Sequence, residues 1–178
     1  MRGFRQTQQT VRTRGPSPKE TDLKARLDAI DWNILKELQQ DGRMTNVELA
    51  RRVGISAPPC LRRVRALEEA GLIRGYRTLL DEKQLGYDVT AFAMVGLHSQ
   101  TEADLLAFED QVKSWTLVRE SYMLSGEVDF LLKCVAPDLQ AFQNFVIQEL
   151  TATQNVDSVR TALTIRKTKD EAIVPIED

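Results

Sequence analysis

Apolar residues in the first part of the chain recur every three or four positions, which is the spacing of one face of a helix. Ile30, Ile34 and Leu38 share such a face, and they predict a first helix over about 28–40. Asp28 stands where an N-cap is needed, because its carboxylate can accept a hydrogen bond from the first turn. The stretch therefore predicts a short amphipathic helix.

Two more helices are predicted close behind the first. The stretch "MTNVEL" places Thr45 three residues before Glu48, the spacing of a capping box, and it begins a helix that ends at Gly54. A third helix follows almost at once and ends at Gly71. Three short helices with a tight turn at 54–56 predict a helix-turn-helix motif.

The pattern changes in the second part of the chain. Residues 72–80 predict extended chain leaving the helical domain, with a small wing around Gly75, and we assign 77–88 to a linker. Strand-like stretches then alternate with two amphipathic helices in the order βαββαβ, which predicts a ferredoxin-like domain over 89–178. The predicted fold class is α+β, with a winged helix-turn-helix domain at 25–76 followed by this ferredoxin-like domain.

The first strand of the second domain is apolar on both faces. Its alternating positions are Val89, Ala91, Ala93, Val95 and Leu97 on one face, and Phe92 and Met94 on the other. Two helices cover only one face of such a sheet, so an apolar second face predicts a partner surface. A second copy of the sheet would supply it and give a homodimer. The alternative is a mildly apolar face without a partner.

Charge is distributed unevenly along the chain. Residues 1–76 contain 15 Lys/Arg and 9 Asp/Glu, whereas 77–178 contain 9 and 17. A basic first part beside an acidic remainder indicates a polyanionic partner for the first part. Residues 1–24, rich in Gln, Thr, Arg, Ser and Pro, predict a disordered basic tail, and a merely solvated tail is the alternative explanation of the charge.

The third predicted helix has two chemically different faces. At 100° per residue the inner face carries Cys60, Val64 and Leu67, and the outer face carries Pro58, Arg62 and Arg65. The prolines fix φ and remove N–H groups that a first helical turn leaves unpaired. The result is a stiff apolar tip followed by exposed arginines.

This outer face suits the major groove of double-stranded DNA, because arginine pairs bidentately with guanine and apolar rings contact thymine methyls. The residues expected at the DNA are Ser56, Ala57, Pro58, Pro59, Arg62 and Arg65, with Arg51, Arg52 and Arg63 on phosphates. The alternative is a solvated arginine face with an Arg65–Glu69 pair. The capped helix and the tight turn before it favour DNA binding.

Enzyme chemistry finds no support in the sequence. His98 is the one histidine, and there is no Cys/His metal spacing, phosphate-binding glycine loop or catalytic triad, so we expect no catalytic residue, metal or cofactor. Cys60 and Cys134 are expected to be buried and reduced. No apolar run approaches the ~20 residues of a membrane helix, and the apolar core of a signal peptide is missing, which predicts a cytoplasmic protein without membrane contact.

Three stretches carry a resemblance to a known family: "DAIDWNILKELQQDGRMTNVELARRVGIS", "PPCLRRVRALEEAGLIRGY" and "LSGEVDFLL". Over 27–166 the chain resembles the Lrp/AsnC, or feast/famine, transcriptional regulators of bacteria and archaea. The resemblance implies ferredoxin-like domains that dimerise through their sheets, dimers that assemble into octamers, and a small-molecule effector, typically an amino acid, bound between these domains. It implies a sequence-specific regulator whose assembly or DNA affinity responds to that effector.

The resemblance also implies an effector site around the turn at 125–129. Its expected residues are Met123, Leu124, Ser125, Gly126, Asp129 and Leu139, completed by Ala162, Leu163 and Thr164 of a neighbouring subunit. Asp129 would pair with an ammonium group; from the residues alone, a hairpin turn with Asp129 satisfied locally is the alternative. The chain departs from the family at Phe130, where tyrosine is frequent and its hydroxyl would contact the effector, and in its longer N-terminal tail.

A ferredoxin-like module that senses amino acids and regulates a partner enzyme is the main alternative. RNA binding would need an aromatic stacking platform, and the predicted sheet offers none. The arginine face of the third helix favours the DNA-binding regulator, because a pure sensor has no use for that surface.

Overall fold

The computed structural model describes residues 27–171 and 174–176, and they form two compact units. The first unit contains the described chain up to Leu79 together with the residues from Lys169 onward, and the second contains 80–168. The sequence analysis assigned residues up to 178 to the second domain, whereas the structure places those from Lys169 onward with the first unit. The predicted basic tail lies outside the described residues.

The first unit is helical. Its described helices are α1 (Ala29–Gln40), α2 (Asn46–Arg52) and α3 (Ala57–Glu69). The residues buried between them are Ile34, Leu49, Ala50, Val53, Cys60 and Leu67. The inner face predicted for α3 is therefore the face that packs on α1 and α2.

Side chains fix the starts of the first two helices. At α1, Asp28 and Asp31 form a reciprocal capping box, each carboxylate accepting the backbone N–H of the other. At α2, the Thr45 hydroxyl accepts the N–H of Glu48 at 3.2 Å. Only this half of the predicted capping box forms, because the Glu48 carboxylate is bonded to the two arginines at the end of α2.

Replacing Thr45 with alanine is expected to destabilise the protein by about 1 kcal/mol, because the N–H of Glu48 loses its acceptor. Thr45→Ser keeps the hydroxyl and is the matched control. Urea unfolding measures both variants. Equal free energies of unfolding for the two variants would show that the hydroxyl does not stabilise the helix.

The turn between α2 and α3 needs a glycine. Gly54 has φ +74°, and the N–H of Ile55 closes the turn on the carbonyl of Ala50 at 3.0 Å, which is the Schellman pattern. Gly71 ends α3 in the same way with φ +73°. Residues 74–81 then run without helix or strand, as expected for chain leaving the helical domain.

The second unit has the predicted βαββαβ order. Its elements are β1 (Val89–Leu97), α4 (Glu102–Ser114), β2 (Val118–Met123), β3 (Phe130–Ala136), α5 (Leu139–Phe145) with a π-helical turn (Val146–Leu150), and β4 (Val156–Leu163). The strands pair antiparallel in the order β2-β3-β1-β4. The α+β prediction of a helix-turn-helix followed by a ferredoxin-like domain is confirmed.

The core of the second unit lies between the sheet and its two helices. On β1, Ala91, Ala93 and Val95 are fully buried. Aromatic rings fill the space, with the centroids of Phe108 and Phe130 4.7 Å apart. This layer fixes the position of β3 and of the turn that precedes it.

The opposite face of the sheet is open. Phe92 and Met94 are half-buried on this face, because α4 and α5 pack on the other side. Met94 is paired in register with Leu131 on β3, so these two side chains share the open face. Next to them Lys133 forms an ion pair with Glu120 at 2.7 Å. The face is therefore apolar at its centre and charged at its side.

Candidate functional site

The first turn of α3 forms the tip that sequence analysis assigned to DNA. Ser56 is the N-cap with extended backbone, and its hydroxyl makes no capping hydrogen bond. Ala57, Pro58 and Pro59 follow as the first helical residues. Pro58 is exposed, and neither proline leaves an unpaired N–H in the first turn, where N–H groups have no partner inside the helix.

Asn46, which sequence analysis did not identify, fixes this tip to α2. Its Nδ2 donates to the carbonyl of Ala57 at 2.8 Å. Its Oδ1 is buried and has no hydrogen-bond partner among the described residues. Its place directly after the capping Thr45 could have pointed to a role at the start of α2. The backbone group that its amide reaches could not be predicted, because that depends on how α2 and α3 pack.

Arg62 and Arg65 lie exposed on the outer face of α3. Neither guanidinium has an ion pair or hydrogen bond to another described residue. Both side chains are therefore available to an external anion or base. Together with Pro58 they form the face that sequence analysis predicted.

The other three predicted DNA-contacting arginines are already paired with carboxylates. Arg51 and Arg52 both bond to Glu48, at 2.7 and 2.8 Å, and Arg52 also reaches Glu37 at 2.9 Å. Hydrogen bonds from these arginines lower the pKa of Glu48 to about 2, so the carboxylate stays ionised at neutral pH. A phosphate must therefore compete with Glu48 for these two arginines.

Arg63 is engaged within the helical unit. Its Nη1 lies 2.9 Å from a carboxylate oxygen of Asp28 and 2.7 Å from one of Asp31. Only about a third of its side chain is exposed. Since Asp28 and Asp31 also cap α1, Arg63 ties the start of α1 to the middle of α3.

The predicted effector turn is anchored to the end of β1. The N–H of Leu124 donates to the carbonyl of Asp129 at 2.8 Å, and the N–H of Asp129 donates to the carbonyl of Val95 at 2.9 Å. In addition, Oδ2 of Asp129 accepts the N–H of Leu97 at 2.7 Å, where the pairing of β1 with β4 shifts register. One carboxylate oxygen of Asp129 is thus satisfied locally, as the hairpin alternative expected.

The apolar side chains beside this turn are exposed. Met123 is 53% exposed and Leu124 is 40% exposed. Ser125 and Gly126 are also exposed, and a Cβ added to Gly126 would meet no atom within 4 Å. The turn therefore has an accessible backbone and an exposed apolar surface.

The other predicted effector residues lie at the opposite end of the sheet in the same chain. Ala162 and Leu163 pair with Phe92 and Ala91, and the N–H of Thr164 bonds to Thr90. From there to Leu97 at the turn, β1 runs six residues, about 20 Å. These residues cannot share a pocket with their own turn, and their contribution from a neighbouring subunit stays a prediction.

Leu139 requires a correction, because it was grouped with the turn. Strand β3 leads away from the turn and ends at Ala136, and Leu139 begins α5 beyond that end. It is 44% exposed, at the same end of the sheet as Leu163. The family resemblance had placed it near the turn, whereas the antiparallel strand β3 puts it about 20 Å away.

Position 130 also differs from the expected arrangement. Phe130 is 1% exposed and packs on Phe108 in the core. Its ring therefore points away from the exposed side of the turn. Phenylalanine in place of tyrosine at this position therefore affects the packing of the core. A hydroxyl on a ring in this orientation would not reach an effector at the turn, so its absence removes no such contact.

Metal-binding, thiol and membrane features of the described residues do not point to another site. Across 27–171 and 174–176, no group of three His, Cys, Asp or Glu could hold a metal ion. Cys60 and Cys134 are buried free thiols, and burial raises the pKa of Cys134 to about 11. Of the helices described, none has the length and apolar character needed to cross a membrane. A cleft of about 770 Å³ between α4 and the π-helical turn contains none of the predicted effector residues.

Known families match both units. Residues 27–74 match the family described as winged helix-turn-helix DNA-binding, and 90–174 match the Lrp/AsnC ligand binding domain. A leucine-responsive regulatory protein of Rhizobium meliloti is 66% identical over 154 residues, which are 86% of this chain and 99% of that protein. The protein of the same name from Escherichia coli is 38% identical, over 80% of this chain and 87% of its own length.

Solved structures agree with these relatives. A transcriptional regulator from Neisseria meningitidis, solved in complex with L-Met, superposes with a TM-score of 0.80 at 36% identity, over 84% of this chain and 96% of that one. AsnC of Escherichia coli superposes with a TM-score of 0.75 at 28% identity, over 83% and 97%. The sequence, the fold and these relatives together establish that this chain belongs to the Lrp/AsnC family of transcriptional regulators, which join a DNA-binding helix-turn-helix to a ligand-binding domain.

Proposed function

We propose that α3 reads a specific sequence in the major groove of double-stranded DNA through Arg62 and Arg65. The observation that carries this proposal is that both guanidinium groups are exposed and unpaired with any described residue, on the outer face of the second helix of the motif. Around them, the tip formed by Ser56, Ala57, Pro58 and Pro59 has little conformational freedom to lose on docking. Direct contacts to base edges would supply the sequence preference.

Phosphate contacts are proposed for Arg51, Arg52 and Arg63. The free energy needed to break the existing ion pairs differs among the three. Arg51 is 73% exposed and bonded to a single carboxylate, so it exchanges Glu48 for a phosphate most readily. Arg63 would have to leave both Asp28 and Asp31. We therefore assign the phosphate contact first to Arg51, then to Arg52 and last to Arg63.

The chain is proposed to act as a homodimer, and four such dimers are proposed to assemble into an octamer. The support for the dimer is the open sheet face around Phe92, Met94 and Leu131, which is apolar at its centre. A second copy of this face would cover it with a self-complementary contact. Two recognition helices related by a two-fold axis would then read half-sites in successive major grooves.

The effector is proposed to be an amino acid bound between subunits. Support comes from the Neisseria meningitidis regulator solved with L-Met, and from the exposed turn at 125–129. Met123, Leu124, Ser125, Gly126 and Asp129 would form one side of the pocket. The other side would come from a neighbouring subunit, through Leu139, Ala162, Leu163 and Thr164. One oxygen of Asp129 holds the turn, and the other would accept the ammonium group.

A thermal-shift screen against a panel of amino acids, with L-Met included, tests the effector. We expect one or a few amino acids to raise the melting temperature of the wild-type protein, because binding to the folded state stabilises it. Asp129→Ala removes both the anchor of the turn and the charge, and it should abolish the shift. Asp129→Asn keeps an oxygen that accepts the N–H of Leu97 but removes the charge.

The comparison of the two variants separates the roles of Asp129. Loss of the shift in both supports a direct ion pair with the ammonium group. A full shift in Asp129→Asn would mean that the residue only holds the turn. A wild-type protein that responds to no amino acid would contradict the proposed effector class.

We infer that the protein works as a regulator in the cytoplasm of a bacterial or archaeal cell, without catalytic activity or a cofactor. Support comes from its relatives in Rhizobium meliloti and Escherichia coli, which are named as regulators and not as enzymes. The alternative of a sensor that regulates a partner enzyme would leave the arginine face of α3 without a purpose.

A further inference from the structure

The C-terminal residues of the chain are held by a side chain of α1. Nε2 of Gln39 donates to the carbonyl of Val174 at 2.8 Å, and the N–H of Val174 donates to Oε1 of Gln39 at 3.1 Å. The amide thus uses both its donor and its acceptor on one backbone unit, 135 positions away in sequence. Because one amide satisfies both groups of that residue, the contact specifies where the segment docks.

The segment is shaped for this contact by its own sequence. Val174 precedes Pro175, and a residue before proline is restricted to extended conformations. The N–H of Ile176 bonds to the carbonyl of Val174 at 2.9 Å and closes a tight turn around Pro175. Val174 therefore presents its N–H and carbonyl in a preformed arrangement, and docking costs it little conformational entropy.

The position of this segment in the chain gives the contact a consequence. The chain leaves the first unit after Leu79, forms the whole second unit, and rejoins the first unit at Lys169. Docking of Val174 therefore holds the chain that follows the second unit on α1 of the first. Since the segment is tethered, it docks without the full entropic cost of bringing two separate molecules together.

We propose that residues 174–176 form a latch on Gln39 and that this latch transmits the effector signal from the ligand-binding domain to the helix-turn-helix. Strand β4 ends at Leu163, and nine residues separate Thr164 from Val174 along the chain. Leu163 and Thr164 belong to the proposed effector pocket, so one stretch of chain connects that pocket to the segment held by α1. This second part rests on the proposed function, whereas the latch itself does not.

Hydrogen-exchange mass spectrometry of the C-terminal peptide tests the latch without DNA or effector. In the wild-type protein the amide of Val174 is expected to exchange several-fold more slowly than in Gln39→Ala, which cannot accept its proton. Gln40→Ala changes the neighbouring exposed glutamine of α1 and is the matched control, with exchange expected to equal the wild type. Equal exchange in wild type and Gln39→Ala overturns the latch.

Fluorescence anisotropy with operator DNA, with and without the amino acid found in the thermal-shift screen, tests the transmission. Gln39→Ala is expected to bind DNA as the wild type does in the absence of effector and to lose most of the effector-induced change, while Gln40→Ala keeps it. A full effector response in Gln39→Ala overturns the transmission. Absence of DNA binding by the wild type would instead contradict the proposed function, and the exchange experiment would still decide the latch.

Discussion

Replacing Phe130 with alanine is expected to lower the free energy of unfolding by about 3–5 kcal/mol, because the change removes a large ring from a close-packed core. Phe130 is 1% exposed, and its ring lies 4.7 Å from that of Phe108. Phe108 in turn contacts Trp115 edge-to-face at 5.8 Å, so the cavity would open inside a connected aromatic cluster. Denaturant unfolding of the second unit, followed by tryptophan fluorescence, measures the loss.

Phe130→Leu separates lost volume from the loss of an aromatic ring. It keeps most of the apolar volume and is expected to cost less than about 1.5 kcal/mol. If the alanine variant were no less stable than the leucine variant, the ring would not be a core residue. Such a result would return position 130 to the effector site, where the family resemblance had placed its missing hydroxyl.

Replacing Arg62 with alanine is expected to weaken binding to the preferred DNA sequence by roughly 1–3 kcal/mol and to relax the preference at one base pair. Arg62 is exposed, follows the stiff first turn of α3, and has no ion-pair partner among the described residues. The substitution therefore removes the proposed base contact and leaves no buried carboxylate without its ion-pair partner. Binding assays on a library of operator variants measure both the affinity and the preference.

Arg51→Ala is the control for a phosphate contact. It should weaken binding to all sequences about equally and lower the dependence of affinity on salt by about one unit of slope. If Arg62→Ala gave this uniform pattern instead, Arg62 would be a phosphate contact and the specificity would have to come from Arg65 and the apolar tip. A variant of either residue that leaves DNA affinity unchanged would remove it from the interface.

The sequence predicts those parts of the fold that depend on local chemistry. Helix starts at Asp28 and Thr45 and a glycine turn at Gly54 follow from side chains and backbone preferences within four residues. The element order βαββαβ also follows, because strand and helix periodicities are local patterns along the chain. These features needed no knowledge of distant contacts.

The sequence predicts the site less well, because its contacts join distant residues. The pairing of Arg63 with Asp28 and Asp31 depends on how α3 crosses α1, which periodicity does not specify. The bond from Leu97 to Asp129 depends on the register shift in β1. Leu139 was grouped with the turn on the family resemblance, and the antiparallel strand β3 between them separates the two.

In the proposed effector pocket, the distance of about 20 Å between the turn and the end of β4 places the two halves on different copies of the chain. Each complete pocket then requires a contact between copies, so the apparent affinity for an effector depends on protein concentration. A closed ring of copies has no unmatched half, whereas an open row leaves one at each end. Ligand binding to the proposed pocket would therefore favour closed rings, and the amount of the protein in the cell would set the effector concentration at which it responds.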